Sequence, residues 1–185
     1  RALLTVGGLT LGLTLLTLAY PLLWPVPIQA EAWQVPPATD LPPNDGFADF
    51  HRVELPSGHG PEDIDVDAQG RVYAGLDDGR ILRWDGEQVE TFADTGGRPL
   101  GLHWDAAGNL LVADAWKGLL SIAPDGTITT LLTQVEGQEL IFTDDLDVAP
   151  DGTIYFTDAS VQFRQPDWKL DIIQNRPNGR FLAYD

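Results

Sequence analysis

Two adjacent acidic pairs are the residues best placed to do chemistry: Glu62-Asp63 and Asp144-Asp145. Each stands directly ahead of a short alternating run, IDV in the first case and LDV in the second. Carboxylates from such distant positions repel one another if the fold brings them together, and loss of water adds to the cost. A hard cation relieves that repulsion. Calcium suits best, because it takes roughly six to eight oxygen ligands in loose geometry. Glu62 and Asp144 are therefore the first candidate metal ligands, with Asp63 and Asp145 as second candidates. The competing reading makes all four solvated turn acids that cap backbone N–H groups.

The other candidates are few. His51, His59 and His103 are the three histidines. His59 sits in the loop SGHGPED just before Glu62 and is a weak candidate for a catalytic base. No serine lies in a G-x-S-x-G elbow, which argues against an α/β-hydrolase. Gly96-Gly97-Arg98-Pro99 resembles a phosphate loop but lacks the following Lys-Ser/Thr and helix, so it reads as a connecting turn. The chain has no cysteine, which removes disulfides, zinc–thiolate sites and a cysteine nucleophile.

The chain has 185 residues and a formal net charge of -17, with 43% hydrophobic and 21% charged residues. Such a charge argues against nucleic acid or an anionic lipid surface as partner. The apolar fraction is too high for a disordered acidic chain. A small-molecule substrate is the expected partner. Methionine is absent even from position 1, and the chain stops at FLAYD, inside what reads as a repeat, so a fragment is expected.

The acidic pairs belong to that repeat. Three segments align: EDIDVDAQGRVYAGLDDGRILRWD from Glu62, LGLHWDAAGNLLVADAWKGLLSIAPDG from Leu100, and DDLDVAPDGTIYFTDAS from Asp144 with GRFLAYD from Gly179. The turn glycines Gly70, Gly108 and Gly152 are 38 and 44 residues apart. A period of about 40 residues with several short strands per unit marks a β-propeller. In each unit an apolar strand leads to an acidic-to-glycine turn, where Asp bonds its own backbone and Gly accepts positive φ. Second and third strands follow, and TFADT and TITTLLTQ add outer strands to the first two units. The expected units are 53–95, 96–138 and 139–185. Asp65, His103 and Asp147 align with one another and read as structural residues between units. Asp114 and Asp158 close second strands and read as turn caps. The insertion Val161–Asn178 has helical character, and its Phe163 and Trp168 are candidate lining for a substrate pocket.

Residues 2–30 carry no charge. About 20 apolar residues span a bilayer as a helix, and Leu3 to Trp24 is long enough. Residues 1–30 read as a transmembrane anchor or, through Ala30-Glu31-Ala32, as a cleaved signal segment. Arg1 precedes the span and acidic residues follow it, which places the rest of the chain outside the cytoplasm, on the periplasmic or extracellular side. Residues 31–52, rich in proline, read as a stiff linker.

GPEDI, GRPLGLHWDAAGNLLVADAWKGLL, DDLDVAPDGTIYFTDAS and GRFLAYD resemble the strictosidine synthase-like group. More narrowly they resemble its membrane-anchored, adipocyte plasma membrane-associated protein-like branch, within the gluconolactonase (regucalcin)–paraoxonase superfamily. That resemblance implies an all-β, six-bladed propeller, of which this chain would hold about two and a half to three blades. It implies a possible Ca2+ ion held by a glutamate that Glu62 matches and by a later position that Asp144 matches, where relatives usually carry Asn. It implies an ester or lactone hydrolase of arylesterase or gluconolactonase type. The alternatives are a metal-free strictosidine synthase-like lyase or condensing enzyme, with its acid/base elsewhere, and a non-catalytic binding propeller.

Overall fold

In a computed structural model the described residues are 14–20, 45–46 and 49–185. The expected anchor and linker lie largely outside them. Residues 14–20 are helical, and no helix among the described residues is long and apolar enough to cross a membrane.

Each repeat unit folds as one antiparallel sheet. The first sheet holds β1 (Ile64–Val66), β2 (Val72–Gly75), β3 (Arg80–Trp84) and β4 (Val89–Asp94), paired in chain order. The second holds β5 (Pro99–Trp104), β6 (Leu110–Asp114), β7 (Gly118–Ile122) and β8 (Ile128–Leu132). A two-stranded ribbon follows, β9 (Gln134–Val135) and β10 (Gln138–Glu139). The third sheet holds β11 (Thr143–Val148), β12 (Ile154–Asp158) and β13 (Arg180–Tyr184). The turns form as their composition demands. Asp67 Oδ1 accepts the N–H groups of Gln69 and Arg71, and Gly70 sits at φ 79°.

The sheets stack face to face. One core joins Tyr73, Ile81 and Ala93 of the first sheet to Leu102, Leu110, Val112, Leu120 and Ile122 of the second. Another joins Leu111, Ala113 and Leu119 of the second to Leu146, Ile154 and Phe156 of the third. The middle sheet is covered on both faces, so β6 is buried at every position and reads LLVAD without alternation. The outer face of the third sheet is open. Burial alternates along β12, with Tyr155 41% exposed.

The first strand of each sheet pairs on one side only, and β1, β5 and β11 lie next to one another in that order. This is the radial arrangement of propeller blades. The turns between second and third strands fall at the same end as residues 58–63 and 143–145. Pairing skips at the head of the inner strand in two sheets, between Pro99 and Leu102 and between Thr143 and Leu146. Those skips are β-bulges, which turn residues out of the ladder.

The insertion between β12 and β13 forms a 3-10 turn at Gln165–Asp167 and a short helix α1 (Trp168–Gln174), closed by Asn175 at φ 50°. Asp171 on α1 accepts from Ser160 Oγ at 2.7 Å and from Asn178 Nδ2 at 2.8 Å, which pins the helix to the third sheet.

Candidate functional site

Glu62 and Asp144 come from different sheets and meet at the heads of the inner strands. Glu62 is pushed above the usual carboxylate range by loss of water, then by the charges of Asp144, Asp63 and Asp145, with Arg98 pulling the other way. Asp144 is likewise raised, first by burial and then by Asp145. Neither side chain makes a hydrogen bond or ion pair among the described residues. The β11 bulge is what frees Asp144 from the ladder.

Asp63 and Asp145 are employed differently. Asp63 Oδ1 accepts the N–H of Ile64 at 2.8 Å, and its Oδ2 accepts the N–H of Leu102, in the neighbouring sheet, at 2.9 Å. Asp65 repeats the pattern with Val66 at 2.7 Å and Trp104 at 3.1 Å. Asp145 and Asp147 accept the N–H groups of Leu146 at 2.8 Å and Val148 at 2.7 Å. An inner strand has one unpaired edge, and its N–H groups need acceptors. These aspartates provide them. Asp63 thus has both oxygens engaged in holding two sheets together, so it borders the Glu62–Asp144 pair rather than joining it with free lone pairs.

His103 lies between its two equivalents, Nδ1 3.5 Å from Asp65 and Nε2 3.6 Å from Asp147. That is the structural bridge expected between units. His59 is on an exposed loop held through its backbone: its N–H donates to Asp77 Oδ1 at 3.1 Å, and its carbonyl accepts from Asp77 N–H at 3.0 Å. Phe163 is buried, whereas Trp168 is 43% exposed beside Ile172 and Ile173, so the two do not form one wall.

Arg98 was not singled out by sequence because GGRP reads as a plain turn. Its guanidinium is buried; Nη2 donates to the Gly60 carbonyl at 3.0 Å, and Nη1 has no partner. It supplies the positive charge that faces Glu62. Asp114 and Asp158, expected as turn caps, are fully buried hubs. Asp114 accepts from Thr95 Oγ1 and from the N–H groups of Arg98, Trp116 and Lys117. Asp158 accepts from Phe142 N–H and from Arg180 through two nitrogens. Both clamp the loop that enters the inner strand of their own sheet.

The donor set at Glu62 and Asp144 is two hard carboxylates without a bonded counter-charge, which fits a calcium ion in kind. Among the described residues, no group of three or more His, Cys, Asp or Glu is arranged to hold a metal.

Comparison with known proteins agrees with the repeat. The strictosidine synthase-like N-terminal family model matches residues 40–84, and the strictosidine synthase model matches residues 144–185. The chain is 37% identical to protein strictosidine synthase-like 13 of Arabidopsis thaliana, covering 68% of this chain and 39% of that protein. It is 40% identical to strictosidine synthase-like 7 of the same plant, covering 80% and 43%. It is 32% identical to adipocyte plasma membrane-associated protein of Rattus norvegicus, covering 87% and 48%. The chain thus spans less than half the length of these relatives. Among solved structures, a gluconolactonase from Xanthomonas campestris overlaps 50% of this chain and 32% of its own, with a TM-score of 0.46 and 28% identity. A virginiamycin B lyase from Staphylococcus aureus overlaps 58% and 38%, with a TM-score of 0.49 and 17% identity. The two family models, matching at the first and third repeat units, and the curated relatives together assign this chain to the strictosidine synthase-like family.

Proposed function

We propose that this chain forms part of the mouth of a six-bladed propeller hydrolase acting on an ester or lactone, with a calcium ion held by Glu62 and Asp144. The observation that carries the reading is the meeting of these two carboxylates from separate sheets, each raised by burial and by like charge. Evolving such a pair is costly unless a positive charge is bound there. A calcium ion would polarise the substrate carbonyl and stabilise the oxyanion that develops on it. Glu62 and Asp144 would orient that ion, and Asp63 and Asp145 would fix the backbone beneath it. By analogy with the membrane-associated relative, the propeller would be anchored through residues 1–30 and lie outside the cytoplasm.

A second reading is favoured by the lack of a three-ligand group among the described residues. Here the site is metal-free, as in a strictosidine synthase-like lyase or condensing enzyme. Glu62, raised in pKa and balanced by Arg98, would then give and take a proton.

An arylester and lactone assay on the full-length protein, with and without a calcium chelator, tests the first reading. Activity lost on chelation and restored by calcium supports it. Activity that survives chelation but is lost in Glu62→Gln favours the second. A third outcome, no turnover of esters or lactones but saturable ligand binding, leaves a binding propeller.

A further inference from the structure

The first and third sheets carry matching residues at four positions with opposite exposure. Tyr73 lies opposite Asp65 in the β1–β2 pair, and Tyr155 lies opposite Asp147 in the β11–β12 pair. Tyr73 is fully buried, edge-on to Trp104 of the second sheet with ring centroids 4.8 Å apart. Tyr155 is 41% exposed. Ile81 and Phe181, each the second residue of the third strand, differ in the same way: 0% against 73% exposed. Tyr155 and Phe181 stack on each other at 5.8 Å with nothing above them. The groove they line continues through Leu146, Val148 and Phe156.

The aspartates repeat the contrast. Asp63 and Asp65 each use Oδ1 for the N–H of the next residue and Oδ2 for an N–H of the neighbouring sheet. Asp145 and Asp147 use Oδ1 in the same way. Their Oδ2 atoms have no partner among the described residues. The donors that Asp63 and Asp65 receive, Leu102 and Trp104, follow Gly101 and His103, which cannot cap them. Where the preceding residue is Asp, as before Ile64, Val66, Leu146 and Val148, the N–H is already taken.

We propose that the open face of the third sheet seats a further blade-type sheet of the longer polypeptide. Its inner strand would carry non-acidic residues at the positions of Gly101 and His103, and Asp145 and Asp147 would latch two alternate backbone N–H groups of that strand. Its apolar side chains would cover Tyr155 and Phe181 as Trp104 covers Tyr73. A second copy of this chain does not fit. Its β1 and β11 donors are capped by their own aspartates, and its β5 donors are held by Asp63 and Asp65. The relatives, of which this chain spans 39% to 48%, have the extra length that such a sheet needs. The inference does not depend on any catalytic activity.

Amide hydrogen exchange on the full-length protein tests it, comparing wild type with Asp145→Asn and Asp147→Asn singly and together. An Asn that turns its NH2 toward the strand offers a donor where an acceptor is required. We expect exchange at least about tenfold faster at two alternate amides of the inner strand that follows β13, with Leu102 and Trp104 unchanged. Asp63→Asn calibrates the effect at Leu102. If the double variant does not fold, the single variants give the same readout one amide at a time. Unchanged exchange in that strand overturns the proposal, as does an Asp or Glu found at both of its latch-facing positions. A full-length protein that light scattering shows to pair through this face also overturns it.

Discussion

Asp63 in β1 accepts the backbone N–H of Leu102 in β5 at 2.9 Å, across the boundary between two sheets. The same carboxylate accepts the N–H of its own successor, Ile64, at 2.8 Å. One side chain therefore satisfies the open edges of two inner strands. It also sets how far apart the sheets stand at the end where Glu62 and Asp144 meet.

Asp63→Ala orphans both donors. Each unsatisfied N–H costs about 1–3 kcal/mol when water cannot replace the acceptor. The expected loss lies toward the lower end, because β1 is partly open to solvent. Denaturant unfolding of the full-length protein measures it. Asp63→Asn should fall between wild type and alanine.

Asp114→Ala should be more severe, above about 3 kcal/mol, because a fully buried carboxylate with four donors is removed. Gly97→Ala should approach that loss by another route, since an added Cβ would collide with the Asp114 carboxylate. The double variant should cost much less than the sum, because both changes break one clamp. Thermal unfolding of the three variants checks this.

Glu62 and Asp144 are raised in the folded state by burial and then by neighbouring carboxylates. Folding therefore favours their protonated forms. That contribution is fully present below the ordinary carboxylate pKa and is lost as pH rises through the raised folded value. Without bound cation, Glu62→Gln and Asp144→Asn should each stabilise the protein at neutral pH, and the gain should vanish on acidification through the carboxylate range. Stability curves against pH, measured in chelator, decide it. A loss of stability at neutral pH in both variants would contradict the assignment.

Calcium binding should follow the opposite slope. Protons compete for the same raised carboxylates, so affinity should fall as pH drops. Glu62→Gln and Asp144→Asn should each weaken binding at least about tenfold. Calorimetric titration of the full-length protein reads both effects, and equal affinity in wild type and variants would remove these residues from the ligand set.

The sheets were legible in the sequence because turn chemistry recurs. Asp67–Gly70, Asp105–Gly108 and Asp151-Gly152 each divide two apolar runs, and nothing elsewhere in the fold overrides them. The β9–β10 ribbon was not legible: its turn, Glu136-Gly137, joins two-residue strands too short for alternation to register. The pairing of Glu62 with Asp144 followed from repeat alignment. The work of Asp63 and Asp65 did not, because their second acceptors lie 39 residues away on backbone atoms that carry no sequence signal. Arg98 was missed for the same reason, since its partner is the carbonyl of Gly60. Asp114 and Asp158 appeared to be ordinary turn residues because local sequence does not report burial.

The skipped pairing at the head of β5 and of β11 has a consequence for how such a scaffold diversifies. At both places two residues, Leu100-Gly101 and Asp144-Asp145, sit between rungs that hold on either side. They behave as interchangeable sockets: a lineage can exchange an apolar pair for an acidic one there while the strands keep their partners. Reactivity at this rim can drift from member to member with the architecture underneath left alone.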